Sequence, residues 1–122
     1  MHERRQWLRV QAPVSLTYRT LQPPMREEYA ISSDLSEGGM RFATFMPLYA
    51  GNVLELEVVL PFDSLPIRVW GDVAWVREED RAGVPQFAIG VRFREIAATD
   101  RSRLAGYLKS YAAPQPSRDA AA

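Results

Sequence analysis

The chain alternates apolar and polar residues over several short stretches, the period-two pattern of strands that bury one face. In "VLELEVVLP", Leu54, Leu56 and Val58 share a side while Glu55 and Glu57 point away. "QFAIGVRF" repeats the pattern with Phe87, Ile89, Val91 and Phe93, and "VSLTYRT" with Val14, Leu16 and Tyr18. By the same parity "IRVWGDVAWV" sets Ile67, Val69, Val73 and Trp75 on one side. Two further strands flank "DLSEGG", with "EEYAISSD" before it and "MRFATF" after it, joined by a short connection with turn chemistry. The pattern therefore predicts six strands.

Proline and glycine fall between these stretches, at Pro23-Pro24, Pro47, Gly51-Asn52, Pro61, Pro66 and Gly83. Turns rather than crossover helices therefore separate the strands, and an all-β antiparallel barrel or sandwich follows. After Phe93 the period lengthens: Thr99 suits a helix cap, Asp100 its first turn, and Leu104, Leu108 and Tyr111 recur at helical spacing. One C-terminal helix is predicted, stopped by Pro114. The closing "APQPSRDAAA" has too little apolar surface to offset the entropy of ordering. The expected organisation is a flexible basic arm over 1–10, a barrel with its helix over 11–112, and a disordered tail over 113–122.

Composition narrows the function classes. A chain of 122 residues holds one core, and an apolar fraction of 47% is enough to fold it. Lys+Arg and Asp+Glu both count 15, so bulk charge gives no affinity for nucleic acid or anionic membrane, and any anion site must be local. There is no cysteine, and His2 is the single histidine, read as a solvated terminal residue. Disulfides, thiolate nucleophiles, zinc sites and histidine-based triads lose their raw material. "MHERRQWLRV" is charged where a signal peptide needs an apolar run, and no window approaches the roughly 20 apolar residues of a membrane span. The expectation is a cytoplasmic chain without membrane insertion. Glu27-Glu28 and Glu78-Glu79 are adjacent pairs whose side chains point apart, so neither suggests acid/base catalysis, and no enzyme activity or cofactor is expected.

Two segments carry polar residues that a barrel does not need. In "RRQWLRV", Arg4, Arg5 and Arg9 gather around Trp7, and Arg5 and Arg9 share parity in an extended chain. In "DLSEGG", Asp34 and Ser36 lie two apart, on one face if the segment stays extended. Guanidinium groups bind phosphate bidentately, reach guanine O6 and N7, and stack on base faces. A carboxylate complements the N1–H and N2–H2 donors on guanine's other edge, which adenine lacks. Arginines beside an aspartate thus favour a guanine nucleotide over bare phosphate, with the Ser36 hydroxyl as a further contact and Gly39 permitting close backbone approach.

These residues resemble the PilZ domain family. "RRQWLR" is similar to its R-x-x-x-R signature through Arg5 and Arg9, with the extra arginine at Arg4, and "DLSEGG" to D-x-S-x-x-G through Asp34, Ser36 and Gly39. The "GDVAWV" and "IGVRF" strands and the terminal helix extend the resemblance over residues 3 to 112. It implies a six-stranded antiparallel barrel of the split-barrel kind with a C-terminal helix, acting as a non-catalytic receptor for cyclic di-GMP. It also implies roles: Arg5 and Arg9 hold guanine and phosphate, Asp34 and Ser36 contact the base, and Gly39 shapes the turn. Arg4 implies two intercalated ligand molecules rather than one, and Trp75 matches an aromatic position near the ligand in some relatives.

Simpler roles stand beside these. The arginines could form a solvated arm paired with Glu27 and Glu28, where exposed ion pairs contribute about 0 to 1 kcal/mol each. "DLSEGG" could be a hairpin connection alone, and Trp75, sharing parity with Val73 and Val69, reads as core as readily as ligand platform. Trp7 could pin the arm to the barrel. A ligand-independent protein adaptor of the same fold is the alternative function, and single-stranded nucleic acid binding is disfavoured by the neutral charge. Any output passes to an unidentified downstream protein or through self-association, and the terminal helix, able to cap its own barrel or pack on another chain, leaves the oligomeric state open.

Overall fold

The structure of the protein, a computed structural model, describes residues 10–23, 25–61 and 63–112. Six strands follow the alternation in chain order: β1 (Ser15–Thr20), β2 (Glu27–Leu35), β3 (Gly39–Thr44), β4 (Val53–Val59), β5 (Ile67–Arg81) and β6 (Val84–Ile96). The helix α1 (Ala98–Ala112) comes last. All pairings are antiparallel in the order β1-β2-β3-β6-β5-β4, and β4 returns to β1 to close the barrel. Closure satisfies the strand edges that an open sheet would expose.

Alternate residues fill the interior. Leu16, Tyr18, Leu54, Leu56, Val58, Ile67, Val69 and Ile89 are all buried, each stabilising the fold by about 1.5 to 3 kcal/mol relative to exposure. Tyr18 packs 5.1 Å from the Phe42 ring, and its hydroxyl lies 2.8 Å from Thr44 Oγ1, so its polar tip is partnered inside the barrel. Burial pushes the Tyr18 phenol above its ordinary pKa.

The helix starts one residue before Thr99, and the Arg101 N–H donates to the Ala97 carbonyl at 2.8 Å. Thr99 therefore occupies the first turn rather than the cap. Leu104 and Leu108 join the barrel core, so the helix packs on its own barrel. Arg103 fixes the helix to the β4–β5 connection, donating to Asp63 Oδ2 at 2.7 Å and to Asp100 at 3.0 Å, with a further bond to the Leu65 carbonyl.

The β5–β6 hairpin is longer than the alternation indicates, because residues from Arg77 to Pro85 are largely exposed and leave no buried face to betray a strand. Its tip is a two-residue turn with positive φ at Ala82 (52°) and Gly83 (80°), the combination that matches the twist of paired strands. Asp80 supports it by accepting the Gly83 N–H at 2.8 Å.

Three register shifts interrupt the ladders: one leaves Arg94 of β6 extra between Trp70↔Glu95 and Gly71↔Phe93, and two break the strict parity assumed from sequence. In β2 the partners run Ser32↔Phe42 and then Asp34↔Arg41, so Ser33 is the extra residue. In β5 they run Val73↔Val91 and then Trp75↔Gly90, so Ala74 is extra. Beyond each bulge the side chains exchange faces. Trp75 consequently leaves the face of Val73, correcting the parity reading: it is 38% exposed on the outside, and Val76 packs against the core in its place.

Candidate ligand-binding face

The turn after β2 organises itself around Ser36. Its hydroxyl accepts the N–H groups of Gly38 and Gly39, both at 3.1 Å, while the Ser36 N–H donates to the Gly39 carbonyl at 2.9 Å. Ser36 is buried, and its hydroxyl is committed to this turn. Gly39 then enters β3 against the backbone of β6, where an added Cβ would lie 2.3 Å from the Val91 carbonyl oxygen. A glycine is required there by close approach. β2 ends at Leu35, so Asp34 and Ser36 are set by the bulge and the turn rather than by the extended parity expected.

Because directly opposed residues point to the same face, the register lines up Asp34 (β2), Arg41 (β3), Gly90 (β6) and Trp75 (β5) across the outside of the barrel. Strands lie about 4.8 Å apart, so this row spans roughly 14 Å. At one end Arg41 Nε lies 3.4 Å from Asp34 Oδ2 and 3.3 Å from Ser33 Oγ. At the other the Trp75 indole lies directly above Gly90, where a Cβ would stand 2.2 Å from indole Nε1 and Cε2. The Arg77 guanidinium sits 5.3 Å from the Trp75 ring centroid, a cation–π contact. In the neighbouring row Arg92 is exposed opposite Gly39, with no carboxylate at ion-pair distance among the described residues. The face thus offers a carboxylate, guanidinium groups and an aromatic surface.

Arg4, Arg5, Trp7 and Arg9 lie outside the described residues, as do Pro114 and the rest of 113–122. Val10, the next residue after Arg9, is described: it exchanges two backbone hydrogen bonds with Leu35, at 3.0 and 2.9 Å, between Asp34 and Ser36. The chain beyond it is stitched to the same strand. Buried Ser32 donates to the Ala12 carbonyl at 2.6 Å and accepts the Val14 N–H at 3.0 Å. From the other side, the Tyr111 hydroxyl of α1 donates to the Gln11 carbonyl at 2.9 Å.

Among the residues singled out from sequence, the structure brings Asp34 and Trp75 onto one outer face, with Ser36 and Gly39 shaping the adjacent turn. Sequence reasoning missed Arg41, Gly90 and Arg92. Gly90 carried a signal, since a glycine inside an apolar strand marks close approach. Arg41 lies two residues after Gly39, on the same face of β3.

Carboxylate, guanidinium and indole thus lie together on the outside of a closed β-barrel domain. The sequence model of the PilZ domain matches residues 3–110, spanning both motifs, and the chain belongs to the PilZ domain family. Among solved structures, the Bacillus subtilis inhibitor of motility MotI/DgrA is similar over 90% of this chain and 52% of that one, with a TM-score of 0.73 and 24% identity. The PilZ domain of Escherichia coli YcgR with c-di-GMP is similar over 88% of this chain and 91% of that one, with a TM-score of 0.66 and 20% identity. The K. pneumonia MrkH–c-di-GMP complex is similar over 90% and 53% of the two chains, with a TM-score of 0.66 and 16% identity. The chain thus spans about half the length of MotI and MrkH, and these likenesses establish the fold. No curated protein matches the chain. No helix among the described residues is long and apolar enough to cross a membrane.

Proposed function

We propose that the protein is a non-catalytic cytoplasmic receptor for cyclic di-GMP, and that its N-terminal arm, 1–10, closes the ligand against the barrel. The observation that carries this reading is the Val10–Leu35 bridge, which anchors the chain leaving the R-x-x-x-R motif beside the D-x-S-x-x-G turn. One trans peptide spans 3.8 Å, so Arg9 stays within about that distance of a residue bonded between Asp34 and Ser36. Arg5 and Arg9 then neutralise the phosphates and reach the guanine acceptors, Asp34 reads the N1–H and N2–H2 edge, and Trp75 supplies a stacking surface. YcgR and MrkH, similar in fold, were both solved with c-di-GMP. A doubly negative ligand neutralises the mutual repulsion of the three arginines, and the arm closed over it presents a new surface to a downstream protein.

Calorimetric titration of the full chain with cyclic di-GMP tests this. Binding at micromolar concentration is expected, with Arg5→Ala and Arg9→Ala each weakening it by about 1 to 3 kcal/mol. Arg4 supports an intercalated pair, so wild type is expected to titrate near two ligands per chain and Arg4→Ala nearer one. A chain that ignores the messenger refutes the receptor reading and leaves the ligand-independent adaptor.

A further inference from the structure

At the far end of β2 and β3 from this face lies a cavity of about 360 Å³, walled by Tyr18, Pro23, Met46, Pro47, Leu48 and Tyr49. That volume falls at the lower end of ligand-sized pockets, roughly 300 to 1,000 Å³. Glu28, on its floor, is six residues along β2 from Asp34, a separation of about 20 Å at the rise of a strand. Exposed large apolar side chains stand at the cavity and next to its lining residues in the chain: Tyr49 on the lining is 68% exposed, Phe45, which precedes Met46, 70%, and Met25, which precedes Arg26, 64%.

The loops that display them are pinned. The Tyr49 N–H donates to Asn52 Oδ1, and the Asn52 N–H to the Tyr49 carbonyl, both at 2.9 Å. The other loop closes at its base, where Thr20 N–H donates to the Arg26 carbonyl and Arg26 N–H to Thr20 Oγ1, again both at 2.9 Å. Apolar groups held out on ordered loops reduce the entropy a partner must overcome on docking. The Arg26 guanidinium lines the cavity but donates only to Met46 Sδ, a weak acceptor, and has no carboxylate at ion-pair distance among the described residues. The barrel therefore leaves a largely apolar recess lined by an Arg26 that makes no ion pair among the described residues, with the Glu28 carboxylate elsewhere on the lining.

We propose that this end of the barrel docks a partner protein through an apolar-acidic segment, its apolar side chain filling the recess and its neighbouring carboxylate pairing with Arg26. A small molecule confined to the recess leaves Phe45 and Met25 uncovered, whereas a peptide segment crossing the lip buries them. Glu28 on the floor suits a backbone N–H or hydroxyl of the same segment. This surface is independent of the messenger face, and its test does not require the receptor reading to hold.

The full chain is used to select from a random peptide library, and the enriched peptides are synthesised and titrated by fluorescence anisotropy. Enrichment of peptides that place a large apolar residue next to Asp or Glu is expected. Arg26→Glu should weaken them by about tenfold or more, as loss of a complementary interfacial charge does. Phe45→Ser and Tyr49→Ser, at exposed positions, should each weaken them too, while Trp75→Ala should leave them unchanged. Absence of enrichment, or equal binding by Arg26→Glu, overturns the proposal. So does a dimer in sedimentation equilibrium that Tyr49→Ser dissolves, because the face would then belong to a second copy.

Discussion

The indole of Trp75 lies across the bare backbone of Gly90, so tightly that a methyl group there would overlap its Nε1 and Cε2. Gly90→Ala should therefore expel the ring, lowering stability by about 1 to 3 kcal/mol in urea unfolding, the scale of local overpacking. Trp75→Ala, removing a partly exposed ring, should cost less stability yet weaken cyclic di-GMP if the indole is the platform. Equal affinities for wild type and Trp75→Ala in calorimetry would remove Trp75 from the site.

Gly39 and Gly106 should respond oppositely to the same change. At Gly39 the added Cβ meets the backbone oxygen of Val91, which cannot rotate away, so Gly39→Ala should lose about 3 kcal/mol or more. At Gly106, in α1, nothing lies within 4 Å, and Gly106→Ala should raise stability by about 0.5 to 1 kcal/mol through lower unfolded-state entropy. Chemical unfolding of both variants tests the pair, and a mild Gly39→Ala would mean that β3 and β6 can separate locally.

Asp34 sits against Arg41 at 3.4 Å, with the guanidinium side open to solvent, and a solvent-screened pair of this kind contributes about 0 to 1 kcal/mol. Stability should therefore change little in Asp34→Ala or Arg41→Gln. Binding should change selectively: Asp34→Ala should narrow the preference for cyclic di-GMP over its adenine analogue by about 1 to 3 kcal/mol. Parallel losses for both nucleotides would deny Asp34 a role in reading the base.

The hydrogen bond from Arg103 holds the Asp63 carboxyl below the ordinary value of 3.8, with the Leu65 backbone N–H adding to it. A lowered pKa in the folded state means that this pair stabilises the docked helix fully above pH 3.8, and that the contribution disappears as acid protonates Asp63. Wild type should melt above Asp63→Asn at neutral pH, and the two curves should converge on acidification below that value. A gap that persists into acid would place the stabilisation elsewhere.

Much of the fold was legible because a barrel buries one side of each strand. Leu54, Leu56 and Val58 alternate, and they are inside. The hidden parts are those where alternation carries no information. The outer half of the β5–β6 hairpin buries neither side, so Arg77 to Pro85 resembled a loop. Bulges at Ser33 and Ala74 insert a residue without any compositional mark, and each reverses the parity beyond it, which misplaced Trp75. Asp34 and Gly39 were visible through their motif, whereas Arg41 became significant only once register set it between Asp34 and Gly90.

Val10's pair of backbone hydrogen bonds to Leu35 also works as a tether of fixed length. Five peptides separate Arg5 from Val10, a reach of at most about 18 Å. Under the proposed receptor reading, a motif leashed this closely meets its ligand at an effective concentration on the order of millimolar or above, whatever the protein's dilution. On that reading the arm's closure over bound messenger is an intramolecular event, and a single residue inserted before Val10 would lengthen the leash.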